Sequence, residues 1–95
     1  MPQRSLVYSG HAVLRMVDRG LDETAVHAVL DGDDVIETYP DDVPYPSALY
    51  LGFVSGRPVH VVAAEDADGQ QTIVITVYEP DPALWDATFR MRTTQ

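Results

Sequence analysis

The chain has 95 residues and a formal net charge of −9, from six arginines, no lysine and 15 acidic residues. That length supports one compact core, and the acidic balance excludes a general nucleic-acid binder with its usual basic footprint. With no cysteine, disulfides, a thiolate nucleophile and a cysteine-type zinc site are excluded as well.

The first residues, Met-Pro-Gln-Arg-Ser, lack the apolar core of a signal peptide. The longest uncharged stretch, 43–56, holds two prolines and two glycines and is too short to span a bilayer. A soluble cytoplasmic protein with no membrane contact is therefore expected.

Taken in chain order, residues 9–20 read as a helix. Ser9 is the N-cap, Ala12, Val13, Met16 and Val17 form a helical stripe, and Gly20 suits the C′ position. A second helix spans about 23–31, with Asp22 as N-cap and Gly32 as its end. The period then becomes two. Strands are predicted over 35–39, 47–54, 57–65 and 71–79, with a proline-rich loop at 40–46. Asp81-Pro82 resembles an N-cap followed by an N1 proline, which predicts a short helix over 83–90. The expected architecture is α+β in the order ααββββα: two N-terminal helices, a four-stranded antiparallel sheet and a short C-terminal helix. All of it forms one domain over 1–95, with a core of about 9–90.

A three-residue turn at Ala67-Asp68-Gly69 would set the last hairpin's register. It pairs Asp66 with Gln70, and so His60 with Thr76 and Pro58 with Tyr78. His60, Val62, Val74, Thr76 and Tyr78 then share one face. A two-residue Asp-Gly turn would instead bring His60 beside Val77.

Three constellations could carry chemistry. His11, Arg15 and Arg19 recur at i, i+4 and i+8, one stripe on the first helix. It is the clustered cation of an acidic chain, and could hold a phosphate or be a solvated face with ordinary surface pairs. His60, between Val59 and Val61 and just after Arg57, is either a packed core histidine or an acid–base group beside Thr76 and Tyr78. Glu79 in Tyr-Glu-Pro-Asp-Pro is a candidate base, although that run serves first as strand end and turn. The spacings of His, Asp and Glu match no metal-binding pattern, and the single glycines match no phosphate or dinucleotide loop. Neither metal nor cofactor is expected.

Four blocks, in order, carry a resemblance. They are Ser9-Gly10-His11-Ala12 with Arg15-Met16 and Arg19-Gly20; Pro44-Tyr45-Pro46-Ser47 with Leu49; Gly56-Arg57-Pro58-Val59-His60-Val61-Val62; and Thr76-Val77-Tyr78-Glu79-Pro80-Asp81-Pro82 with Trp85. Together they resemble a small prokaryotic domain-of-unknown-function family over about 9–90. That family is similar in outline to the RelE/ParE superfamily of toxin–antitoxin toxins, particularly its BrnT-like and MqsR-like branches. The resemblance implies a RelE-like fold and a metal-independent messenger-RNA endoribonuclease held inactive by a small antitoxin of zinc-finger type. It implies His60 as general acid or base, His11 as a second such group or phosphate ligand, and Arg15 and Arg57 as phosphate-stabilising cations. Tyr78 would orient the substrate, with Arg19 and Thr76 as substrate-binding residues. The ribonuclease reading expects His11, Arg15, Arg57 and His60 to converge in one cleft. The alternative is a catalytically silent binding module that pairs with a small antitoxin-like partner or with itself, through a sheet edge or a last helix bearing Trp85, Phe89 and Met91.

Overall fold

A computed structural model describes residues 5–66 and 70–93. The elements run β1 (Ser5–Tyr8), α1 (Gly10–Arg19), α2 (Glu23–Asp31), β2 (Val35–Tyr39), β3 (Ser47–Val54), β4 (Arg57–Glu65) and β5 (Gln71–Tyr78). Both helices begin on the caps that the sequence supplies. Ser9 Oγ accepts from the Ala12 amide at 3.0 Å and Asp22 Oδ1 from the Ala25 amide at 2.9 Å. Gly20 ends α1 at φ 65°, where its lack of a Cβ removes the steric penalty of the left-handed conformation.

The strands form one five-stranded sheet in the order β1-β5-β4-β3-β2. This corrects the expectation of a four-stranded antiparallel sheet. A fifth strand, β1, runs parallel to β5, with Leu6 beside Thr72 and Tyr8 beside Val74. The α1–α2 pair serves as the connection that a parallel neighbour requires. No RelE-like ααββββα order is present, because the chain enters the sheet before its first helix. Among the described residues, no helix is long and apolar enough to cross a membrane.

The second correction concerns residues 83–90, which form no helix. The Asp81-Pro82 signal produces a single turn, with Asp81 O accepting from Leu84 N and Trp85 N. Asp86 Oδ1 then accepts from Thr88 N, Thr88 Oγ1 and Arg90 N. These side-chain bonds compete with helix continuation, and Phe89 lies at φ 61°, outside the helical region.

The last hairpin departs from the expected register. Glu65 faces Thr72 and Ala63 faces Val74, whereas Val62 faces Thr76 and His60 faces Tyr78. Ile75 is thus an extra residue, a bulge that shifts the pairing by one. His60 pairs with neither Thr76 nor Val77, and Pro58 does not pair with Tyr78. Beyond the bulge His60, Val62, Thr76 and Tyr78 still share a face, but Val74 turns to the opposite one. The turn at 67–69 lies outside the described residues.

Alternation along β4 divides the core. Val59, Val61 and Ala63 pack with Ala12 and Met16 of α1 and Val26, Val29 and Leu30 of α2. His60, Val62 and Ala64 therefore face away from the helices. That second face continues through the register partners Leu51 and Leu49 of β3 and Glu37 of β2. The C-terminal segment covers it, with Trp85 only 3% exposed.

Gly52 marks the closest approach of helix and sheet. A Cβ there would lie 2.8 Å from Val29 Cγ2 and 3.1 Å from Val29 Cα. Gly52→Ala is predicted to destabilise the fold by roughly 1–3 kcal/mol through overpacking. Urea unfolding checks this: the midpoint falls, and Gly52→Ala with Val29→Ala loses less than the sum of the two single losses. Strict additivity would show that the contact does not limit packing.

Candidate functional site

His60 is the centre of the sheet's second face and is fully buried, at 0% exposure. Its Nε2 lies 2.8 Å from the Phe89 carbonyl oxygen and its Nδ1 3.1 Å from the Tyr78 hydroxyl. A carbonyl only accepts, so Nε2–H donates to Phe89 and Nδ1 accepts from Tyr78 O–H. The imidazole is neutral and both its nitrogens are satisfied, as burial demands. Trp85 stands edge-on to the ring at 4.5 Å between centroids, and Tyr78 at 5.2 Å.

Charged groups ring this cluster. Tyr39 donates to Glu37 Oε1 at 2.6 Å, and Arg92 donates to both Glu37 oxygens at 3.2 and 3.3 Å. The Arg92 guanidinium lies 4.6 Å over Trp85, a cation–π arrangement. Arg90 makes a two-point bond to Asp34 at 2.6 and 2.7 Å. Burial and the neighbouring Glu37 carboxylate push the Tyr39 phenol up to about 12. Glu37 itself is pushed up by burial, but the Tyr39 hydroxyl and Arg92 outweigh this and hold its carboxyl below the usual range.

The expected convergence of His11, Arg15, Arg57 and His60 does not occur. His11, Arg15 and Arg19 lie exposed on α1, which packs on the first face through Ala12 and Met16. His60 points to the second face and has no solvent access. Arg57, at the start of β4, pairs with Glu79 at 3.3 Å with half its side chain exposed. Tyr78 does join His60, and Thr76 shares their face one register step away. Trp85 is buried under the second face rather than displayed on a helix. Phe89 is half-buried, and Met91 alone of those three is openly exposed, at 67%.

A second feature escaped the sequence reading. Beside α1 lies an open groove of about 400 Å³, lined by Tyr8, Val13, Met16, Val17 and Leu21, with Asp22 and Glu23 at its rim. The Tyr8 hydroxyl is buried there and has no hydrogen-bond partner among the described residues. Burial, and then Glu23, raise its pKa above the ordinary phenol value. Val13, Leu14 and Val17 are 46%, 68% and 75% exposed along the same helix. The sequence signal for this face was present, since Val13 and Val17 fit the helical stripe, but the stripe is wider than the face that α1 buries.

A family model described as a domain of unknown function, DUF4258, matches residues 8–79. The chain belongs to this family. In this DUF4258 chain the matched span carries the helices, β2 to β5, His60 and Tyr78, and ends before the segment that covers them. No curated protein and no solved structure matches the chain.

The buried imidazole gives a signed pH dependence. Burial lowers the His60 pKa below 6.5; the Phe89 carbonyl and Glu37 oppose this and Arg92 reinforces it. The unfolded chain therefore binds a proton that the folded chain resists, and stability falls as pH drops below about 6.5. Asp34, held low by its bond from Arg90, and Glu37 lose their contributions at lower pH. Thermal unfolding between pH 8 and 5 should show this slope, and His60→Leu should flatten it. An unchanged slope in that variant would assign the pH dependence to other groups.

Proposed function

We propose that this chain is a partner-binding module, a catalytically silent relative of toxin-type domains that associates with a small basic protein. The observation carrying this reading is the α1 groove. It is an apolar slot lined by Tyr8, Val13, Met16, Val17 and Leu21, with Val13 and Val17 largely exposed. Val13, Leu14 and Val17 form a run of exposed apolar surface on one helix, the kind of patch that marks an interaction site. Asp22 and Glu23 at the rim and the chain's −9 charge favour a basic partner. They disfavour a second copy of an equally acidic chain.

The four sequence blocks support membership of the domain-of-unknown-function family, and the toxin-type relationship rests on that family's similarity in outline to RelE/ParE toxins. The small antitoxin-like protein implied by that likeness is the natural occupant. The endoribonuclease reading keeps one supporting observation: His11, Arg15 and Arg19 remain open to solvent on α1, where they could meet a phosphate. His60 contributes nothing to such a site while Phe89 and Tyr78 occupy both its nitrogens.

Co-expression with a small basic protein of the antitoxin-like, zinc-finger type tests both readings. The expected result is a one-to-one complex with cellular RNA intact, and at least a tenfold loss of affinity in Val17→Asp. Val17 is exposed, so that variant should keep the circular dichroism of the parent. Equal binding by Val17→Asp would remove the groove as the interface. Growth arrest and RNA cleavage by the chain alone, abolished by His11→Ala or Arg15→Ala, would overturn the binding-module reading in favour of the nuclease.

A further inference from the structure

The segment 80–93 is built differently from the rest of the molecule. Its backbone hydrogen bonds close on themselves: Leu84 and Trp85 donate to Asp81, Asp86 to Met91, Phe89 to Asp86 and Thr93 to Leu84. An isolated bridge pairs Trp85 with Arg92. No backbone bond of the segment among those described joins it to a strand of the sheet. Its ties to the rest of the molecule include the Phe89 carbonyl on His60, the Trp85 ring, and the guanidiniums of Arg90 on Asp34 and of Arg92 on Glu37 and Tyr39. It is a self-contained loop laid over the sheet's second face.

Two observations make the cover separable. Arg90 and Arg92 keep 47% and 57% of their side chains exposed, so each pair is screened by solvent and holds weakly. Phe89 sits in the left-handed region at φ 61°, which is unfavourable for a bulky residue. The carbonyl of this same residue accepts from His60.

We infer that residues 80–93 form a releasable strap, and that the face beneath it is a binding site for a partner's peptide segment carrying an aromatic side chain and two guanidiniums. The strap itself shows the chemistry that the face accepts. Without it, Asp34 and Glu37 lack their cations, the His60 Nε2–H lacks an acceptor, and the slot beside His60 and Tyr78 lacks its aromatic filling. Those vacancies specify a peptide rather than a phosphate: two carboxylates repel an anion, whereas guanidiniums, a backbone carbonyl and an indole satisfy all of them together. The strap is then the internal competitor of that segment. This inference is independent of the α1 groove, which lies on the other side of the sheet.

The full chain, and its Arg90→Ala/Arg92→Ala variant, provide the test by native-state hydrogen exchange and peptide binding. The amides of Trp85, Asp86, Phe89 and Thr93 should exchange at least about tenfold faster than that of Val61 in the wild type, as a separate opening unit. In the variant they should gain about a further fivefold while Val61 is unchanged, and a labelled synthetic peptide of residues 80–93 should bind it more tightly than wild type by a comparable factor. The same peptide with Trp85→Ala should not bind. Exchange of strap and β4 at one common rate would overturn release. A strap that opens without capturing the peptide, or captures the Trp85→Ala peptide equally well, would overturn the site. Failure of the α1 variants above would leave these measurements unaffected.

Discussion

The structure depends on β4 being buried on both faces. It lies between β3 and β5 in the middle of the sheet, and Val59, His60, Val61, Ala63 and Ala64 are all inaccessible. A strand covered on both sides sends alternate side chains into two different environments. The odd residues meet the helices. The even ones face the other way, and among them is His60, which meets the C-terminal segment. An imidazole in such a position is tolerated only if both nitrogens are bonded. Tyr78 from the neighbouring strand and Phe89 from the covering segment provide those bonds. One alternation thus fixes the identity of the second layer, removes His60 from solvent and separates it from the α1 stripe by the thickness of the sheet.

Ser9 joins the other half of the molecule to this strand arrangement. Its hydroxyl accepts from Ala12 to cap α1 and donates to the Ile75 carbonyl at 2.7 Å, while its amide donates to Val74 at 3.0 Å. The Ile75 bulge is therefore where the end of β1 and the start of α1 attach to β5. Because β1 is an edge strand and α1 follows it directly, the outward side of α1 and Tyr8 border the same open groove. The apolar surface left there follows from the connection: two helices cover a five-stranded sheet, and the first of them has a neighbour on only one side.

The legible part of the sequence was its local periodicity. Ser9, Gly20 and Asp22 are capping signals that hold independently of context, and β3 alternates over most of its length. Three features were not legible, each for a non-local reason. Ser5–Tyr8 is only four residues long and its partner is more than sixty positions away, so no neighbouring turn announces it. The Ile75 bulge lies inside a uniformly β-branched run, where nothing marks an extra residue. The 83–90 stretch has a helix-starting signal, but Asp86 and Thr88 draw the backbone into a competing turn. At the site, His60 and Tyr78 were expected on one face from a three-residue turn, and the structure places them there through a different register shifted at the bulge. The capping of His60 by a carbonyl 29 residues onward was not legible, because any residue can offer a carbonyl.

The net charge gains meaning from where the arginines act. Arg57, Arg90 and Arg92 are engaged with Glu79, Asp34 and Glu37, so three of the chain's six cations serve its own acids. Arg15 and Arg19 on α1 are the remaining described arginines. Two phosphate contacts would give single-stranded RNA binding a salt slope of about −1.4, against roughly −4 to −7 for a protein making six to ten contacts. An RNA site on this stripe would therefore have little electrostatic affinity of its own, and Asp18, Asp22 and Glu23 lie close in sequence to reduce it further. The same distribution suits a protein partner. Apolar residues at Val13, Leu14 and Val17 would supply the contact area, the local carboxylates would attract a basic surface, and the flanking arginines would set orientation rather than affinity.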